Sequence, residues 1–201
     1  TLLQSEPSIN LQLIVTGSHL SPHFGNTVDE IDDTTFQIAE RIDMLLSSDT
    51  PSGIGKSIGL GVIGFSQAFD RLQPDILLLI GDRFETHAAA VAALPFNLPV
   101  AHIHGGERTE GAIDDSIRHS ITKLSHLHFV ATPEYKNRVM QLGEEVSRVI
   151  ISGAPSLDNL KSITLLPKSQ IGQRLDINME LDPYIITFHP EADNNPDEII
   201  D

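Results

Sequence analysis

Between Asp75 and His119 the chain reads DILLLIGDRFETHAAAVAALPFNLPVAHIHGGERTEGAIDDSIRH. The apolar run Ile76 to Ile80 does not alternate, as expected of a strand covered on both faces of a parallel sheet. It stops at Gly81, and Asp82, Arg83 and Glu85 follow at once. The alanine-rich segment Thr86 to Leu94 favours helix. A second apolar run, Pro99 to His104, ends in Gly105-Gly106-Glu107, and a third segment opens on Asp114-Asp115. Apolar runs and helical segments in strict alternation restrict the chain to an α/β fold on a parallel sheet. Ligands of such sheets bind beyond the carboxyl ends of the strands. Two consecutive strands here deliver acids and histidines to that edge.

The rest of the chain keeps the alternation. Leu11 to Thr16 reads as a strand ending at Gly17, and His19 and His23 sit in the polar loop that follows. Phe36 to Leu46 is expected to be strand over its first half. Ser47 to Ser52 contains good helix-start residues, with Thr50 before Pro51, and from Pro51 to Leu72 the residues Ile54, Ile58, Val62, Phe65, Phe69 and Leu72 recur at steps of three and four, one face of a long helix. Ile113, Ile117, Ile121 and Leu124 give a further helical stripe, on which Asp114 with Arg118, and Asp115 with His119, are spaced to pair. Leu127 to Ala131 and Val149 to Ser152 read as strands. A helix capped by Thr132 lies between them and stops at Gly143. Asp158 falls just inside the next helix. Residues 162–182 are polar and irregular, and Tyr184 to Phe188 opens a new strand that ends in His189-Pro190-Glu191. Both ends look cut: Thr1 starts on a helix tail, and Asn195-Pro196-Asp197-Glu198 has the form of a helix start.

A net charge of −15 with no compensating basic patch argues against nucleic acid or an anionic membrane as partner. There is no cysteine, hence no disulfide, thiolate metal site or thiol nucleophile. No apolar run reaches the roughly 18 residues of a membrane span. Gly59-Leu60-Gly61-Val62-Ile63-Gly64 matches the dinucleotide fingerprint G-x-G-x-x-G, and Asp82 follows at about the spacing of a ribose-binding acid. That fingerprint needs its glycines in a strand-to-helix turn. Here the helical periodicity runs through them, so close helix packing is the better reading. His102 and His104 share a strand face, yet no short His spacing marks a metal site. What remains is a crowd of acids (Asp82, Glu107, Asp114, Asp115, Asp158), with His102, His104 and His189, and with Arg83 and Arg118 to hold an anion. Crowded carboxylates raise one another's pKa and suit proton transfer at carbon or to a leaving oxygen.

VTGSHLSPHFGNT (15–27), PDILLLIGDRFE (74–85), VAHIHGGERTEGAIDDSIRHSITKLSHLHFVAT (100–132) and GAPSLDNL (153–160) together resemble the hydrolysing UDP-N-acetylglucosamine 2-epimerases, in the branch that feeds sialic acid synthesis. The resemblance implies the first Rossmann-like domain of a two-domain glycosyltransferase-B-type fold, with the second domain mostly absent. Residues 1–165 would form that domain without its first strand, 166–182 the crossing, and 183–201 the start of the UDP-binding domain. The implied reaction loses UDP with the C2 proton to give a 2-acetamidoglucal, then adds water with the opposite C2 configuration. The products are N-acetylmannosamine and UDP, and no metal or nicotinamide is needed. By position, Asp82 matches a catalytic acid, and Arg83 a residue near the nucleotide. His102, Asp114, Arg118 and Asp158 match the lining of the sugar pocket, Asp115 adjoins them, and His189 matches a histidine near the phosphates. Many relatives carry glutamate at position 104, as a proposed acid–base group. Here His104 keeps that strand position, or Glu107 reaches in. A cytoplasmic homodimer is implied, and the 201-residue chain alone is expected to be inactive. Competing readings are the same reaction on a UDP-2,4-diacetamido-2,4,6-trideoxy-hexose, a nucleotide-sugar glycosyltransferase, and a non-catalytic binding module.

Overall fold

A computed structural model describes residues 2–31, 36–48, 50–109, 112–179 and 184–187. A short helix α1 (Leu2–Ser5) precedes strand β1 (Leu13–Thr16), which leads through three short 3-10 turns to β2 (Ile38–Ile42). Next come the long helix α2 (Pro51–Leu72), β3 (Leu77–Ile80), α3 (Phe84–Ala93), β4 (Val100–Ile103), α4 (Ile113–Leu124), β5 (Leu127–Val130), α5 (Pro133–Gln141), β6 (Val149–Ile151), α6 (Ser156–Ser162) and α7 (Lys168–Leu175). Every strand pair is parallel, as the alternation requires.

The strands form two sheets, β1-β2 and β3-β4-β5-β6. Strand β3 departs from its expectation. Its run predicts burial on both faces, but only one face is covered: Leu79 is buried, while Leu78 and Ile80, on the opposite face, are 42% and 59% exposed.

Helix α2 has the bounds that its periodicity predicts. The Thr50 side chain accepts from the Gly53 amide and Pro51 occupies the first turn, where its missing N–H costs nothing. Its Phe65, Ala68 and Phe69 pack with the alanines of α3, with Ile42 at the end of β2 and Met44 just after it, and with Leu79, Val100 and Ile121 in one core. The glycines of the fingerprint lie inside this helix. Gly61 faces Met44 and Ala88, and Gly64 faces Ile42, so two of the three serve close packing. A smaller core joins Val139 of α5 to Val130 and Val149. The stretch expected to be irregular contains α7. Residues 184–187 form no strand, and Tyr184, Ile185 and Ile186 are almost fully exposed.

Candidate active site

Three strands stop at the same edge, and the backbone turns sharply there. Gly81 has φ +81° after β3, His104 has φ +70° after β4, and Gly153 has φ +78° after β6. The Gly81 amide still donates to the Ile103 carbonyl (3.1 Å) and the His104 amide to that of Phe129 (3.0 Å), so the turns begin from fixed positions. Gly106, at φ +80°, runs hard against α5: a Cβ there would lie 2.5 Å from the Tyr135 carbonyl oxygen. The Gly105-Gly106 pair thus lets the chain fold back and carry Glu107 toward α4.

Arg118, on the first half of α4, is the centre of the site. Its side chain is 7% exposed. One terminal nitrogen donates to Asp82 in a very short contact and to Thr109 Oγ1 at 3.0 Å. The other donates to Glu107 Oε2 and to the His104 carbonyl, both at 3.1 Å. Glu107 Oε1 in turn accepts from His104 Nδ1 at 2.7 Å. One buried guanidinium therefore ties together the turn after β3, the turn after β4 and the glutamate that follows.

Asp114 lies beside this cluster. Burial, and then the Asp82 carboxylate, push its carboxyl above the usual aspartate range, while Arg83 and Arg118 pull the other way. Asp115 accepts from the Thr109 amide at 3.0 Å and lies 3.6 Å from His119, so that spaced pair meets. The other does not: Arg118 turns away from Asp114, its helix neighbour, to Asp82 and Glu107.

His102 is fully buried. The Gly81 carbonyl accepts from its Nε2 at 2.8 Å, and its Nδ1 lies 3.2 Å from the Thr122 hydroxyl. Burial lowers its pKa to about 4, so the ring is neutral at neutral pH. Expected to line the sugar pocket, it has no ring nitrogen left for a ligand and instead holds the backbone that presents Asp82. Arg83 is 60% exposed and reaches Glu85 at 3.4 Å. Glu85 itself is buried against Gly17, where a Cβ would stand 2.5 Å from its Oε1, so the loop after β1 meets the start of α3. In that loop His19 is exposed and bonds Thr27 at 2.7 Å, and His23 is exposed. Asp158 is exposed in the first turn of α6. His189 lies outside the described residues.

Thr109 and Thr122 are site residues that the sequence reading passed over. Thr122 stands one helical turn beyond Arg118, and that spacing was a usable signal. Nothing local pointed to Thr109. Among the described residues no three His, Asp or Glu side chains are grouped to hold a metal ion, and no helix is long and apolar enough to cross a membrane.

The family model described as UDP-N-acetylglucosamine 2-epimerase matches residues 1–200. A GDP/UDP-N,N'-diacetylbacillosamine 2-epimerase (hydrolyzing) of Campylobacter jejuni is 43% identical over 94% of this chain and 49% of its own length. The UDP-N,N'-diacetylbacillosamine 2-epimerase (hydrolyzing) of Legionella pneumophila is 41% identical over 94% of this chain and 50% of its own. The chain thus spans about half the length of the curated relatives it matches. The crystal structure of UDP-GlcNAc 2-epimerase from Neisseria meningitidis bound to UDP-GlcNAc superposes with a TM-score of 0.66, at 23% identity, over 87% of this chain and 48% of that one. The parallel-sheet α/β fold is that of the N-terminal domain of these glycosyltransferase-B-type epimerases, and the chain belongs to the hydrolysing UDP-N-acetylglucosamine 2-epimerase family.

Proposed function

We propose that the protein containing this chain is a hydrolysing 2-epimerase of a UDP-2-acetamido sugar. The C2–H electron pair becomes the C1–C2 double bond while the C1–O pair leaves with UDP. Water then adds across the double bond, giving the free sugar with inverted C2. Inversion means that the proton leaves C2 on one face and returns on the other, so two acid–base groups are required. The observation that carries the reading is the Arg118 hub, which holds Asp82 on one side and the His104–Glu107 pair on the other at the strand ends, with Asp114 and the adjoining Asp115 beside Asp82. Burial and the neighbouring Asp82 carboxylate raise the pKa of Asp114, which makes it a better proton donor than an ordinary aspartate. Arg83, with its exposed guanidinium, is assigned to the phosphates together with His189, and His19 and Asp158 to the sugar side. Arg118 and His102 hold the catalytic groups in place. No metal or organic cofactor enters the proposal.

For the substrate, the sequence reading put UDP-N-acetylglucosamine first. The names of the two curated relatives move the preference to UDP-N,N'-diacetylbacillosamine, the 2,4-diacetamido-2,4,6-trideoxy sugar. UDP-N-acetylglucosamine, with N-acetylmannosamine as product for sialic acid synthesis, stays as the second reading, supported by the description of the family model. Residues 1–165 are assigned to the first domain, 166–182 to the crossing and 183–201 to the start of a UDP-binding domain, in a cytoplasmic homodimer.

The test is incubation of the full-length protein with each UDP-sugar in deuterated water, followed by NMR. We expect UDP release and a free sugar bearing deuterium at C2, faster from the diacetamido substrate, with the 201-residue chain alone silent. Sugar transferred intact to an acceptor, or no turnover of either substrate, would refute the reading.

A further inference from the structure

We propose that Glu107 is the positioning residue of His104, and that one proton of the epimerisation passes through His104 Nε2. The inference rests on the epimerase reading and assigns a division of labour within its site. At 2.7 Å, the bond between His104 Nδ1 and Glu107 Oε1 has the length of a charge-assisted hydrogen bond. A carboxylate oxygen has no proton to give, so Nδ1 donates and the neutral ring carries its lone pair on Nε2. Among the described residues that bond is the only one the ring makes, and the side chain is 23% exposed, so Nε2 is left for a substrate.

Glu107 is poorly placed to do the chemistry itself. One of its oxygens holds His104 and the other accepts from Arg118, so taking a proton from substrate at either oxygen would compete with a bond already made. The same Arg118 nitrogen also binds the His104 carbonyl, which fixes backbone and partner carboxylate together. The backbone adds a second observation. A non-glycine residue at φ +70° is strained, and such conformations persist only where the surroundings impose them. Here the Phe129 carbonyl holds the His104 amide while Arg118 holds its carbonyl oxygen. Its neighbours on β4 and β5 show the contrast: His102 presents its Nε2–H to the Gly81 carbonyl and is fully buried, as is His128, so neither reaches a ligand.

The experiment uses the full-length protein and whichever UDP-sugar it turns over. Glu107→Ala should lower kcat on the order of 10²-fold, the usual worth of a well-placed acid–base group, with KM nearly unchanged. Glu107→Gln should recover part of the loss, because its amide oxygen can still accept from Nδ1 although its NH2 then meets the Arg118 guanidinium donor to donor. His104→Glu places a carboxylate at position 104 that needs no imidazole tautomer fixed, so adding Glu107→Ala to it should cost little. Equal losses from Glu107→Ala in both backgrounds, or no loss in the first, would overturn the proposal. Ring-nitrogen NMR gives a readout independent of rate. His104, assigned by the signal lost in His104→Gln, should be protonated at Nδ1 in the wild type and a mixture of tautomers in Glu107→Ala. The same tautomer in both would overturn the proposal even where His104→Glu is inactive. A wild type that turns over neither sugar sinks the reaction reading and this one with it. Turnover with additive losses sinks only this one.

Discussion

His102 shows what burial does to a titratable residue. Its folded-state pKa of about 4 lies below the 6.5 of an unhindered imidazole. Below pH 6.5 the unfolded chain takes up a proton that the native ring refuses, so stability is fully present above that pH. It is lost as the pH falls toward 4, by roughly 3 kcal/mol for this group alone. His128 is shifted in the same direction, chiefly by burial, and adds to the slope. We therefore expect the thermal midpoint to fall steadily between pH 7 and pH 4.5, and less steeply in His102→Asn. An identical slope in that variant would count against the assignment. Little of this was legible beforehand. The sequence places His102 at a strand end beside Asp82 and Arg118. It does not say that the ring looks inward to Gly81 while His104, two residues on, looks out. That difference depends on the left-handed turn at His104, which the Phe129 carbonyl and Arg118 hold from other elements.

Helix α2 is the element that the sequence described best, because a cap, a first-turn proline and six apolar residues on one face all act within a few residues of one another. Its glycines separate two roles by position. A Cβ on Gly61 would lie 2.6 Å from Met44 Cε and 2.9 Å from Ala88 Cβ, whereas one on Gly59 meets nothing within 4 Å. Gly61→Ala should therefore destabilise by about 1–3 kcal/mol through overpacking. Gly59→Ala should stabilise by up to about 1 kcal/mol through helix propensity and a less flexible unfolded chain. Urea unfolding of the two variants checks both signs, and a shared sign would refute the packing account. The elements that the sequence misjudged lack such local rules. The polar α7 carries no strong apolar stripe, and the open face of β3 depends on which elements pack over it, which a single run cannot encode. Arg118 likewise chooses Asp82, 36 residues away, over Asp114, its helical neighbour.

At the scale of the molecule, the division into two parallel sheets leaves β1 and β3 each with one side unpaired among the described residues. The core crosses that division, since Ile14 of β1 and Leu77 of β3 both pack against the cluster that α2 and α3 cover. Packing therefore joins what hydrogen bonds leave separate. An unpaired strand flanked by exposed Leu78 and Ile80 is a template for another chain's backbone. A solution of this 201-residue chain is thus expected to be colloidally fragile, with self-association that rises with concentration. Leu78→Lys, a charge set on that edge, should keep it monomeric in sedimentation velocity, and unchanged association in the variant would place the sticky surface elsewhere. The same open edge sets a handling rule for the bench: a preparation should be judged by its dispersity before any assay of its chemistry is believed.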